Sequence, residues 1–169
     1  VPISRDKKRS VKDLLAKSGL TGLKINLGFL EADWKPEAKD RAAAWELYVE
    51  LLTRIATQPL AEGQGDEKTA LDSVFSLFGI TREILRRNGP DCIQFTKIAV
   101  IVLNQIVRPF TAKWHRLSVA GAFADPERCA EFRSELVALQ RNLLRYARLL
   151  ADVADVEDLT GAAFFEQAY

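Results

Sequence analysis

Arg108 and His115 stand with six residues between them in the run Arg108-Pro109-Phe110-Thr111-Ala112-Lys113-Trp114-His115. On a helix bent at Pro109, that spacing can turn both side chains toward one cleft. A guanidinium grips a phosphate with two parallel hydrogen bonds, and histidine is the side chain suited to moving a proton near neutral pH. The chemistry expected of such a pair is acid–base work beside a bound phosphate, with Arg108 holding the phosphate and His115 acting as acid or base. Lys113 and Arg116 add positive charge beside them. Arg82, Arg86 and Arg87 form a second basic group, in which Arg82 and Arg86 are one helical turn apart and share a face. With Arg108, Lys113 and Arg116 they outline a pocket for a nucleotide or another anionic ligand, where Trp45 or Trp114 would stack on a base.

The eight-residue run resembles the Arg-x4-6-His motif of HEPN ribonucleases. That resemblance implies an all-α bundle, often dimeric, of a kind common in bacterial defence and toxin systems. It also implies that Arg108 and His115 are a catalytic pair cutting RNA without a metal. A plainer reading of the same residues has Phe110, Trp114 and Leu117 spaced to bury, with Arg108, His115 and Arg116 at the rim. The Arg82–Arg87 group then becomes a solvated basic edge paired with Glu83 and other acids.

Other catalytic signatures are missing from the sequence. Gly63-Gln64-Gly65 lacks the spacing of a phosphate-binding loop, and there is no Gly-x-Ser-x-Gly elbow. No Glu-x-x-His pair exists for a di-iron bundle, since Ala112 stands three residues before His115. One histidine and two cysteines, Cys92 and Cys129, are too few for a structural zinc cluster or a disulfide framework. Asp152, Asp155, Glu157 and Asp158 read as a solvated helix end rather than a magnesium site. Neither metal nor cofactor is expected.

The 169 residues suffice for a single domain with a real core, 48% being hydrophobic and 28% charged. A net charge of +1 provides no global field toward nucleic acid or an anionic membrane, so such binding needs a local patch. The most apolar run, Ile98–Leu103, is far shorter than a membrane span. No membrane insertion is expected, and the cytoplasm is the natural compartment. The chain starts at Val1 and contains no methionine, so a domain excised from a larger protein is expected.

The expected fold is all-α, a bundle of four to six helices in residues 10–169, after a polar basic arm at 1–9. Ser10 caps a first short helix that Gly19 stops. Leu23, Ile25, Leu27 and Phe29 alternate as in a strand but lack a partner, and are read as an extended or short helical segment along the bundle. A second helix from Pro36 buries Trp45, Tyr48, Val49, Leu52 and Ala56, with Glu50 and Arg54 paired outside. A third starts near Asp66, with Gly79 as a possible break and Gly89-Pro90 as its stop. A segment of about 91–120, apolar nearly all round, is expected as a buried central helix kinked at Pro109. Asp125 and Pro126 open a helix of about 126–155 with a heptad stripe of Phe132, Leu136, Leu139, Leu143, Tyr146, Leu150 and Val153. A short tail helix carrying Phe164, Phe165 and Tyr169 would dock on this bundle or on a partner.

The function expected from these features is non-enzymatic: a helical module of a larger intracellular protein that binds a protein partner, self-associates or senses an anionic ligand. The alternatives are the metal-independent ribonuclease and an accessory or adaptor domain of a bacterial defence or nucleotide-signalling system, the latter by analogy alone.

Overall fold

Local capping chemistry starts the helices. In the computed structural model, which describes residues 9–25 and 28–163, Ser10 and Asp13 close a reciprocal capping box at the head of α1 (Val11–Lys17). The basic arm therefore lies outside the described residues except for Arg9, as do Phe164, Phe165 and Tyr169 of the expected tail helix. No strand occurs among the described residues, and of the strand-like stretch Leu27 lies outside them while Phe29 is exposed. Leu23 and Ile25 lie half-buried against the core, and Gly28–Glu31 form a single 3-10 turn. A lone bridge between Ser10 and Asp33 is the only β-type pairing among the described residues.

Helix α2 (Ala38–Leu52) begins two residues later than its proline suggested. Glu37 is its cap, and the Asp40 carboxylate returns to the Glu37 N–H at 2.8 Å. The Glu50–Arg54 pair forms at 2.7 Å. The buried face differs from the expected one: Ala43, Ala44, Leu47, Tyr48 and Leu51 point inward, whereas Trp45 is 46% and Val49 39% exposed. Both arrangements fit a helical period.

Helix α3 (Glu67–Asn88) is capped by Asp66 and runs through Gly79 without a break. Gly89 ends it with φ +74°, a conformation glycine adopts without strain. Next comes the long apolar segment, composed of α4 (Ile93–Val102), a wide π-turn (Leu103–Val107) and α5 (Arg108–Val119). Within the π-turn the Arg108 N–H bonds to the Leu103 carbonyl, five residues back. Pro109 follows at once; it has no N–H to donate, and the wide turn before it makes room for its ring beside the preceding carbonyls. The segment buries Phe95, Ile98, Ala99, Val102, Ile106, Val107, Phe110 and Trp114 but is not enclosed on every side. Val100 is 44% exposed, and Asn104, Arg108 and Ala112 continue an open stripe. Exposed valine costs little, and the polar positions decide which side meets water.

Helix α6 (Pro126–Ala154) has the expected Asp125 cap and first-position proline. All seven residues of its heptad stripe are buried. It ends at Asp155, in the left-handed region at φ +58°, with the Val156 N–H bonded to the Ala151 carbonyl at 3.1 Å. A last turn, α7 (Thr160–Ala163), folds back onto it. The all-α bundle is thus built on α2 lying against α6, with α3 and the α4–α5 segment around them; apolar residues from α1 through α6 join one core cluster. No helix among the described residues is long and apolar enough to cross a membrane.

Candidate binding face and the Arg108–His115 pair

Helix α5 lies between α3 and α6, and its polar residues sort accordingly. Arg108 and His115 are seven residues apart, so they share the stripe turned toward α3 but stand about 10 Å apart along the axis. Each has partners of its own. The Arg108 Nε donates to the Asn104 side-chain oxygen at 2.9 Å, and its guanidinium lies 4.8 Å from the centre of the Phe78 ring. The His115 ring meets Phe75 edge-on at 4.8 Å, with Nε2 3.8 Å from an Asp72 oxygen. Asp72 is held in turn by Lys68 at 2.6 Å. Since Arg108 meets Phe78 while the later His115 meets the earlier Phe75 and Asp72, α3 and α5 run antiparallel.

Lys113 and Trp114 turn away from this stripe toward α6. Lys113 pairs with Glu131 at 2.9 Å and with Glu135, and these two carboxylates, Glu135 foremost, raise its pKa. Lys113 and Arg128 together hold the Glu131 carboxyl below its ordinary value. The Trp114 indole N–H donates to Glu135 at 2.9 Å, and its ring is fully buried against Phe123 and Phe132. A buried ring has no free face for a base, so the stacking role expected of Trp114 finds no room. Trp45 keeps an open face, but it lies on α2 beside the groove formed with Ile80 and Glu83 of α3.

Arg82, Arg86 and Arg116 are exposed, and no side chain among the described residues pairs with them. Arg82 and Arg86 continue the outer stripe of α3 that contains Phe75 and Gly79, while Arg116 lies on the outer side of α5. Arg87 leaves this group: it pairs with Glu46 across the α2–α3 groove. The antiparallel seam therefore places free arginines toward both ends, with Phe75, 49% exposed, between them and Val119, 90% exposed, at the close of α5. Of the expected single pocket of Arg82, Arg86, Arg108, Lys113 and Arg116, Lys113 is diverted to Glu131 and Glu135 of α6, and Arg108 to Asn104 and Phe78.

A second basic locus has no counterpart among the residues singled out from the sequence. Arg141, Arg145 and Arg148 line a groove of about 490 Å³ on the outer side of α6. Their spacing of four and three residues is a visible signal, but it lies on the side of α6 opposite the heptad stripe. No group of three or more His, Cys, Asp or Glu side chains among the described residues is placed to hold a metal. Both thiols are unpaired with each other. Cys92 is buried and bonds to the Gly89 carbonyl, and burial pushes the Cys129 thiol up.

Comparison with known proteins adds no identity to the fold class: no family model, no curated protein and no solved structure matches the chain.

Proposed function

We propose that this chain is a non-enzymatic helical interaction module, whose antiparallel α3–α5 face binds an acidic segment of a partner protein. One observation supports this above the rest. Arg82 and Arg86 on α3 and Arg116 on α5, unpaired among the described residues, stand on either side of exposed Phe75, with exposed Val119 one turn beyond Arg116. Apolar contact supplies affinity in such a patch, while the unneutralised arginines select acidic partners and steer them in.

A photo-crosslinking residue at Val119, introduced into the chain in its native host, tests the proposal. The expected product is one discrete adduct whose linked peptide is acidic. Arg82→Glu with Arg86→Glu should remove it while leaving the melting temperature unchanged. No adduct, a non-acidic linked peptide, or an adduct indifferent to charge reversal would overturn the assignment.

The metal-independent ribonuclease is a second reading, favoured by the single stripe that Arg108 and His115 share. It expects cleavage of single-stranded RNA in EDTA, abolished in His115→Ala at an unchanged melting temperature. RNA left intact by the parent chain would end it.

A further inference from the structure

We propose that the groove on the outer side of α6 is a binding site for a small organic phosphate of about nucleotide size, independent of the α3–α5 face. Arg141, Arg145 and Arg148 follow one another at steps of four and three residues and so form one stripe along the helix. They border a groove of about 490 Å³ whose apolar part comes from Pro59, Val137 and Leu144 and whose far end is Thr160 and Gly161. That volume is in the range of small-molecule sites.

The three arginines differ in what already holds them. Arg148 is anchored, donating from Nε to the Thr160 hydroxyl at 3.0 Å and facing Asp158 at 3.8 Å. Arg141 and Arg145 have no acidic partner among the described residues. No carboxylate among the described residues lines the groove. Two free guanidinium forks one turn apart match the oxygens of a phosphate, which each can grip with parallel N–H bonds.

Part of the groove's lining is fixed in advance. Buried Gln140 donates from its amide to the Ile55 carbonyl at 2.7 Å and the Gln58 carbonyl at 2.5 Å. These bonds fasten the loop carrying Pro59 onto α6. A preformed wall reduces the ordering cost of binding. The ligand class follows from the two halves of the groove: an anionic head for Arg141 and Arg145, and a less polar body over Val137, Leu144 and Pro59.

Isothermal titration of the whole chain with adenosine 5′-monophosphate, glucose 6-phosphate and inorganic phosphate, each separately, tests this site. At least one organic phosphate should bind saturably and more tightly than inorganic phosphate, which lacks the body. Arg141→Gln with Arg145→Gln should weaken it by about a hundredfold, roughly tenfold for each guanidinium removed from the phosphate. Val137→Glu, at an exposed position, should weaken it by placing a carboxylate one turn before Arg141, where it competes with the phosphate for that guanidinium. Arg82→Gln with Arg86→Gln should leave it unchanged. No saturable binding by any of the three, equal affinity for inorganic phosphate, or binding that survives the Arg141/Arg145 pair would overturn the proposal. Binding lost equally in the Arg82/Arg86 pair would place the anion on the other face instead.

Discussion

Asp40 is fully enclosed, yet each of its carboxylate oxygens serves a different helix: Oδ2 accepts the Glu37 N–H and Oδ1 the Phe95 N–H, both at 2.8 Å. Phe95 occupies the first turn of α4, where backbone donors have no partner within the helix. Asp40→Ala would open the α2 cap and strand a buried donor in α4, at a cost of about 3 kcal/mol. Asp66→Ala removes an exposed cap and should cost about 1 kcal/mol. Urea denaturation of the two variants distinguishes them, and equal losses would refute the double role of Asp40. Tyr146 shows the reverse case. Its hydroxyl is buried in the core without a hydrogen-bond partner among the described residues, and burial drives its pKa far above the ordinary phenol value. Tyr146→Phe should therefore leave stability unchanged or raise it by about 1 kcal/mol; a comparable loss would mean the hydroxyl is bonded in solution. Caps such as Ser10 and Asp125 were legible in the sequence because their partners lie within three residues. The second task of Asp40 was not, because Phe95 is far along the chain.

Among the elements, the π-turn explains a pattern that a regular helical period does not. Ile98, Val102, Ile106, Phe110 and Trp114 are all buried and recur at uniform steps of four. In a regular α-helix four such steps drift by about 160°. A turn wider than 3.6 residues reduces the drift and keeps Phe110 and Trp114 facing the core. Deleting Asn104 together with Pro109→Ala should then give a regular helix that still folds. Inserting an alanine after Asn104 should rotate Phe110 and Trp114 off the core by about 100° and abolish cooperative unfolding. Thermal melts followed by circular dichroism check both, and an insertion that melts like the parent would contradict the phase argument. The start of α3 is sensitive to acid. The Thr69 hydroxyl and then its N–H bond to the Asp66 carboxylate, lowering its pKa below 3.8. A depressed carboxylate contributes stability that is complete above its unfolded value and disappears as pH falls through the folded one. Melting temperature should fall from about pH 5 to about pH 2, and Asp66→Asn should flatten part of that fall. An identical pH profile in the variant would show that the cap does not contribute.

For the molecule as a whole, the all-α class and the heptad helix followed from periodicity, because a buried stripe must repeat with the helix. The choice of central pair did not follow. Ala43 and Ala44 of α2 and Ala147 and Ala151 of α6 are all buried, and α2 lies along α6 more extensively than any other two helices meet. Alanine leaves no strong hydrophobic signal in a sequence, whereas the valine- and isoleucine-rich α4 does, and so it drew the central role to itself. The outward arginines of α6 were hidden for a related reason: periodicity reports what a helix buries and is silent about what it offers. The alanine seam carries its own test. If close approach of α2 and α6 holds the bundle together, added volume there must push the two helices apart and weaken packing far from the substitution. Ala147→Leu should cost about 2 kcal/mol by overpacking and lower the melting temperature by about 6 °C for a chain of this size. The loss should appear in one transition, shared by helical circular dichroism and by tryptophan emission, to which Trp114, buried on the inner side of α5 and anchored to α6 through Glu135, contributes. A loss confined to one signal, or a variant as stable as the parent, would mean that the seam has slack and that the core is organised around the α4–α5 segment after all.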